Sequence, residues 1–264
     1  PDARSSTARR PSTCPDSCTV QSLPGARCDP GARPVGSLGR MAPHLVLPDP
    51  RTAADLLTFA GRAARLGDPV VRLRASGGTL AVSAAPLSPR GFGDDTPTVL
   101  GMRFLRIDPE LECDLVVDAG ALRPGEDADH VLLPDSGVSA AWAGISPPRT
   151  GWSPGRPVPA DALARAVRRG VDAVAAALPA SPGEDIVRSV RAAVWGAPDA
   201  DLGGLVAGVA FAADALGFLG ADRDEEASVL RTGTWTRVSL PRGHVLVRAG
   251  NPTGLTAVRT TGGR

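Results

Sequence analysis

The stretch "GWSPG", Gly151 to Gly155, spells Gly-x-Ser-x-Gly, the pattern of a serine hydrolase nucleophile elbow. Read that way, Ser153 would be the nucleophile, an acid such as Asp201 or Asp222 would follow, and His244 would be the base. An elbow needs a strand before the serine, a helix after it, and an N–H on the next residue to hold the oxyanion. Here "GISPPRT" precedes the serine without any strand pattern, and Pro154 follows it with no N–H to donate. Chance alone supplies such a pattern roughly 0.2 times in a chain of this composition. No catalytic residue is assigned, and Ser153 with His244 forms an alternative, serine hydrolase reading.

Other chemistry is limited by the alphabet. All 29 basic residues are arginine and tyrosine is absent. There is therefore no Walker-A, Schiff-base or kinase-type lysine and no phenolic acid–base group. His44, His130 and His244 are the only histidines. A metal site would need two of them to converge with carboxylates such as Glu112 or Asp114, and no metal is assigned. Cys14, Cys18 and Cys28 are spaced poorly for zinc, and Cys113 stands alone further on, as in a reducing cytoplasm. No cofactor is implied.

Two clusters suggest binding. Arg165, Arg168, Arg169, Arg188 and Arg191 fall on consecutive helical patterns, which gives a second alternative, nucleic-acid binding. Against it, the residues beyond position 40 hold 23 basic and 25 acidic side chains, no aromatic platform accompanies the arginines, and an Arg168–Asp172 pair would explain a solvated face. The other cluster is Trp142 and Trp152 bracketing Pro147, Pro148 and Arg149. Tryptophan and arginine dominate binding hot spots, and irregular loops carry function. Trp142, Arg149, Trp152 and Arg242 are the candidate binding residues, with His244 as a neighbour; pinning of the connector by the two indoles is the plainer explanation.

These side chains must be positioned by the elements around them. "LPDPRTAADLLTFAGRAARLGD" predicts a helix capped by Asp49, with Pro50 in the first turn, an Ala53/Leu56/Ala60/Ala63 stripe, and Gly67 as its stop. "VVRLRASGGTLAVSA" predicts two strands joined at Gly77-Gly78. "TVLGMRFLRI" and "ELECDLVVDAG" read as a second strand pair, Glu110, Glu112 and Asp114 facing solvent near Arg72 and Arg74. In "PADALARAVRRGVDAVAAALP" the expected buried stripe is Leu163, Val167, Val171, Val174 and Leu178. "SPGEDIVRSVRAAVWG" opens with Ser181 and Glu184 at capping-box spacing, Pro182 at the first helical position, and stops at Gly196. "DLGGLVAGVAFAADALGFLG" reads as a central buried helix of about 18 residues, and its Asp214 and glycines argue against a membrane span. "WTRVSLPRGHVLVR" gives two strands around Pro241-Arg242-Gly243.

The runs "DLLTFAGRAARL", "TPTVLGMRFL", "ELECDLVVDAG", "WAGISPPRTGW", "GEDIVRSVRAAVWG" and "WTRVSLPRGHVLVR" resemble an uncharacterised conserved-hypothetical family of high-GC Gram-positive (actinobacterial) bacteria. The resemblance covers about residues 44 to 248. It implies a bacterial, cytoplasmic source and carries over no catalytic residue.

The expectation is an α+β fold with one N-terminal helix, an antiparallel sheet of four or more strands, and a C-terminal-half layer of about three helices. A single domain spans 41–248: a strand-rich half at 41–141, a Pro-rich connector at 142–159, a helical half at 160–220 and a closing hairpin at 235–248. Residues 1–40 read as a disordered Arg/Pro-rich tail, or as sequence upstream of a start at Met41, and 249–264 as a flexible tail. The expected function is that of a non-enzymatic cytoplasmic binding or interaction protein, its partner a protein or small ligand rather than a membrane or nucleic acid.

Overall fold

The computed structural model describes residues 43–91, 93–222 and 224–250; both tails lie outside the described residues. The chain enters through β1 (His44–Val46) and α1 (Pro50–Ala63), then runs through β2 (Val70–Ser76), β3 (Thr79–Leu87), β4 (Thr98–Arg106) and β5 (Cys113–Asp118). Short strands β6 (Arg123–Pro124) and β7 (His130–Leu132) precede the connector, and β8 (Ser153–Pro154) and β9 (Val158–Pro159) end it. The helical stretch holds α2 (Ala160–Ala177), α3 (Glu184–Gly196), a clip of β10 (Pro198–Asp199) and β11 (Leu205–Val206), and α4 (Gly208–Ala215). Strands β12 (Glu226–Thr232), β13 (Trp235–Leu240) and β14 (Gly243–Arg248) close it. The fold is α+β, with four helices on one large antiparallel sheet.

That sheet has nine strands in the order β5-β2-β3-β4-β14-β13-β12-β8, with β9 also on β12. The expected turn between β2 and β3 is made by Gly77 and Gly78 at φ 55° and 77°, values that side chains with a Cβ rarely adopt. The expected pairing of β4 with β5 does not form. β5 instead pairs β2 at the outer edge, and the free side of β4 is taken by β14, which brings the closing hairpin into the sheet.

One face of the sheet lies under the helices. Val71, Leu73, Leu80, Val82, Val99, Val238 and Val245 are fully buried there with Leu56 and Phe59 of α1 and Val209, Ala212 and Ala213 of α4. The approach is close. A Cβ on Gly101 would run into Leu216, and one on Gly243 would run into the Phe218 ring. Phe218 in turn stacks on Phe59, centroids 6.3 Å apart.

Local details depart from the sequence pattern where packing overrides it. Asp49 caps α1 by accepting from the Thr52 amide at 2.9 Å, but the helix ends at Ala63, before Gly67. α2 buries its small side, Leu163, Ala166 and Gly170, and leaves Val171 exposed, because the Trp195 ring from α3 sits where a Cβ on Gly170 would be. α3 begins at Glu184 behind Gly183, without a side-chain cap from Ser181 and with Pro182 outside the helix. The expected long buried helix is the eight-residue α4, because Gly203 and Gly204 turn the chain at φ 66° and 82° first. No helix among the described residues is long and apolar enough to cross a membrane.

Candidate functional site

Alternation along the strands sends every second side chain to the face away from the helices. Register then aligns them. Arg72 lies beside Ser83, Ser83 beside Met102, and Met102 beside His244, one row across four strands. Arg74, Ala81 and Phe104 form the next row, and Leu100, Leu246 and Arg237 another.

The connector lies over these rows and is fastened at its start. Trp142 is buried in a second apolar cluster with Ala85, Leu100, Trp235 and Leu246, and its indole N–H donates to Asp68 at 2.9 Å. Arg72 ties the same turn down. Its Nε and Nη2 donate to Asp114 at 2.7 and 2.6 Å, while its Nη1 donates to the Ala143 carbonyl. Past this anchor Ile145 and Trp152 pack against the edge of the same cluster, and with Pro147 and Pro148 they line a groove of about 390 Å³ whose floor is the strand rows. The Trp152 indole donates to the Pro148 carbonyl at 3.0 Å, closing the loop on itself. Phe104, on the floor, is 49% exposed.

The groove is electrically one-sided. Arg72, Arg74, Arg149 and Arg237 line it, and no carboxylate does. Asp114, just outside, serves Arg72, whose hydrogen bonds hold its carboxyl below the usual range, and lies 3.9 Å from Arg74. Arg149 is exposed and makes no ion pair among the described residues. The Arg237 guanidinium sits 5.3 Å over the Trp152 ring, and its Nε is buried without a hydrogen-bond partner. His244 packs at 5.4 Å against Phe104, its Nδ1 2.9 Å from the Ser239 hydroxyl. Burial first, and Arg237 second, push its pKa below the ordinary histidine value, so the imidazole is neutral at pH 7.

The candidate residues are thus divided. Trp142, Arg149, Trp152 and His244 meet at one groove, Trp142 as its buried anchor. Arg242, in the exposed turn between β13 and β14, is not among its lining residues. Ser153 lies on β8, three strands from the β14 that carries His244, a separation of about 14 Å at ordinary strand spacing. No helix follows it until Ala160. The two residues therefore share no hydrogen bond, and the elbow geometry does not exist.

The helical arginines are mostly engaged with carboxylates: Arg165 with Asp161, Arg169 with Asp199 and Asp201, and Arg188 with Glu184. The expected Arg168–Asp172 pair is replaced by Arg165–Asp161 one turn earlier. Arg191 lies over the Phe211 ring. Among the histidines, His44 and His130 do approach, centroids 5.0 Å apart and Asp127 3.3 Å from His130, but no group of three metal-ligating side chains occurs among the described residues. Sequence reasoning missed Met102, Phe104 and Arg237. Their signal was parity, since each occupies the same outward phase of its strand as Arg72 or His244.

Two family models match the chain. Residues 41–144 match a domain of unknown function, DUF8010, and residues 147–252 match another, DUF8185. The groove draws on both, with β2 to β4 and Trp142 from the first and Trp152, β13 and β14 from the second. No curated protein matches the sequence. Among solved structures, the chain trace is similar to a DNA polymerase sliding clamp from Pseudomonas aeruginosa at 11% identity and TM-score 0.40, covering 84% of this chain and 68% of that one. The Caulobacter crescentus beta sliding clamp gives 12% and 0.41, covering 86% and 69%. The Bacillus subtilis clamp gives 10% and 0.39, covering 81% and 66%. The chain spans about two thirds of the length of these clamps, and at this distance the likeness supplies no counterpart to the groove residues.

Proposed function

We propose that this chain is a non-enzymatic, cytoplasmic binding protein whose contact surface is the groove between the outer face of the sheet and the connector. The observation that carries the reading is the convergence of Arg149, Trp152 and His244 with exposed Phe104 on one face of a sheet whose other face is sealed. Half-exposed aromatic and arginine side chains set in a concave surface are the residue types that dominate hot spots. In the same groove the His244 Nδ1 lies 2.9 Å from the Ser239 hydroxyl.

Partner recovery tests this. Purified from its host, the wild-type chain is expected to retain a partner that Trp152→Ala and Phe104→Ser lose and that Val171→Ser, on the far side of α2, keeps. Equal recovery by all four would remove the groove from consideration. A fluorophosphonate probe is expected to leave wild type and Ser153→Ala equally unlabelled; labelling that depends on Ser153 would restore the hydrolase.

A further inference from the structure

Three features of the groove bear on what it holds. The first is charge: Arg74, Arg149 and Arg237 face a concavity lined by no carboxylate, while the sequence beyond residue 40 is slightly acidic. The second is an unpaired donor, because the Arg237 Nε is buried without an acceptor. The buried Nε is closed to a ligand, so a carboxylate would meet this guanidinium at its Nη atoms, which can donate two parallel bonds. The third is the floor, where Phe104 is half exposed and Met102 and Ile145 are partly so. Single-stranded nucleic acid stacks its bases on several open aromatic faces; here Arg237 covers Trp152 and Trp142 is buried, which leaves Phe104 as the one open ring of the groove.

Resting on the binding reading above, we propose that the groove takes an acidic segment of a partner protein, its carboxylate on Arg237 and Arg149 and a neighbouring apolar side chain on Phe104 and Met102. Charge complementarity and the apolar floor select for the two features together, so neither alone suffices.

The test uses the full chain on an array of hexapeptides drawn from Asp, Glu, Lys, Leu, Phe and Ser, with a twelve-residue oligothymidylate as a separate arm. Wild type is expected to concentrate on spots that join an acid to Leu or Phe. Arg237→Met, which keeps the stem over Trp152, is expected to weaken those spots at least tenfold, to the background level of the acid-free apolar spots. Arg149→Gln is an exposed substitution that leaves folding untouched and is expected to weaken the acidic spots about threefold. Selection of apolar spots regardless of charge, lost in Phe104→Ser, would overturn the acidic occupant and leave the groove reading standing. No selection, or selection indifferent to Phe104→Ser, would overturn both. Preference for the oligothymidylate would overturn the peptide in favour of nucleic acid.

Discussion

On one face of the sheet Val71, Leu73, Leu80 and Val82 are sealed beneath α1 and α4. On the other face the same two strands present Arg72, Arg74, Ala81 and Ser83 to a connector anchored by buried Trp142 and only partly buried at Ile145 and Trp152. A nine-stranded sheet needs one face covered to fold, and the helices supply that cover. The second face is covered only in part. It keeps an exposed phenyl ring, an unpaired buried guanidinium nitrogen and unmatched positive charge, each of which stability alone would remove. The contrast separates the face that holds the fold from the face available to a partner.

The contrast breaks most visibly on the sealed face. Phe218→Ala empties the space between α1 and the glycines of β4 and β14, and is expected to cost about 3–5 kcal/mol in chemical denaturation. Gly170→Ala forces the Trp195 ring out of place and is expected to cost about 1–3 kcal/mol by overpacking. At the seam between the faces, Asp68→Ala leaves the Trp142 N–H unpaired in a buried site, an expected loss of about 1–3 kcal/mol. If Phe218→Ala and Phe104→Ser destabilised equally, the two faces would not differ as described; Phe104→Ser, on the open face, is expected to stay within about 0.5 kcal/mol.

The smallest effect is in pH. His244 has its folded pKa depressed by burial, so between that value and the ordinary histidine value the unfolded chain binds the extra proton. Its contribution is complete above pH 6.5 and is lost as pH falls through the folded pKa. His244→Gln is expected to flatten that part of the stability profile, as followed by thermal melts between pH 5 and 7.5. Asp114, depressed by Arg72, acts only at lower pH, where its contribution fades as the carboxyl protonates.

Much of this was legible in the sequence where local chemistry decides. Asp49 and Pro50 fixed the start of α1, Gly77-Gly78 fixed a hairpin, and the alternation of Arg72 and Arg74 against Leu73 fixed which face was apolar. The pairing of β5 was not legible, because the partner of an edge strand is set by which neighbours are already taken. The buried side of α2 was missed for a related reason: Gly170 looks like a weak point in a helix until Trp195 fills the space. At the site, Trp142, Arg149, Trp152 and His244 stood out by residue type. Phe104 and Arg237 did not, since an outward residue on a strand reads as solvated until a loop is laid across it.

The groove's field can be read directly from its own fluorophore. The chain has four tryptophans and no tyrosine, and Trp142, Trp195 and Trp235 are buried, which leaves Trp152 as the one partly exposed indole, beneath Arg237. At low ionic strength, the ratio of iodide to caesium quenching should exceed that of free tryptophan, with the excess shrinking as salt screens the arginines and vanishing in Trp152→Phe. A ratio equal to that of free tryptophan, or an excess that survives Trp152→Phe, would contradict an open, positively charged groove on this face.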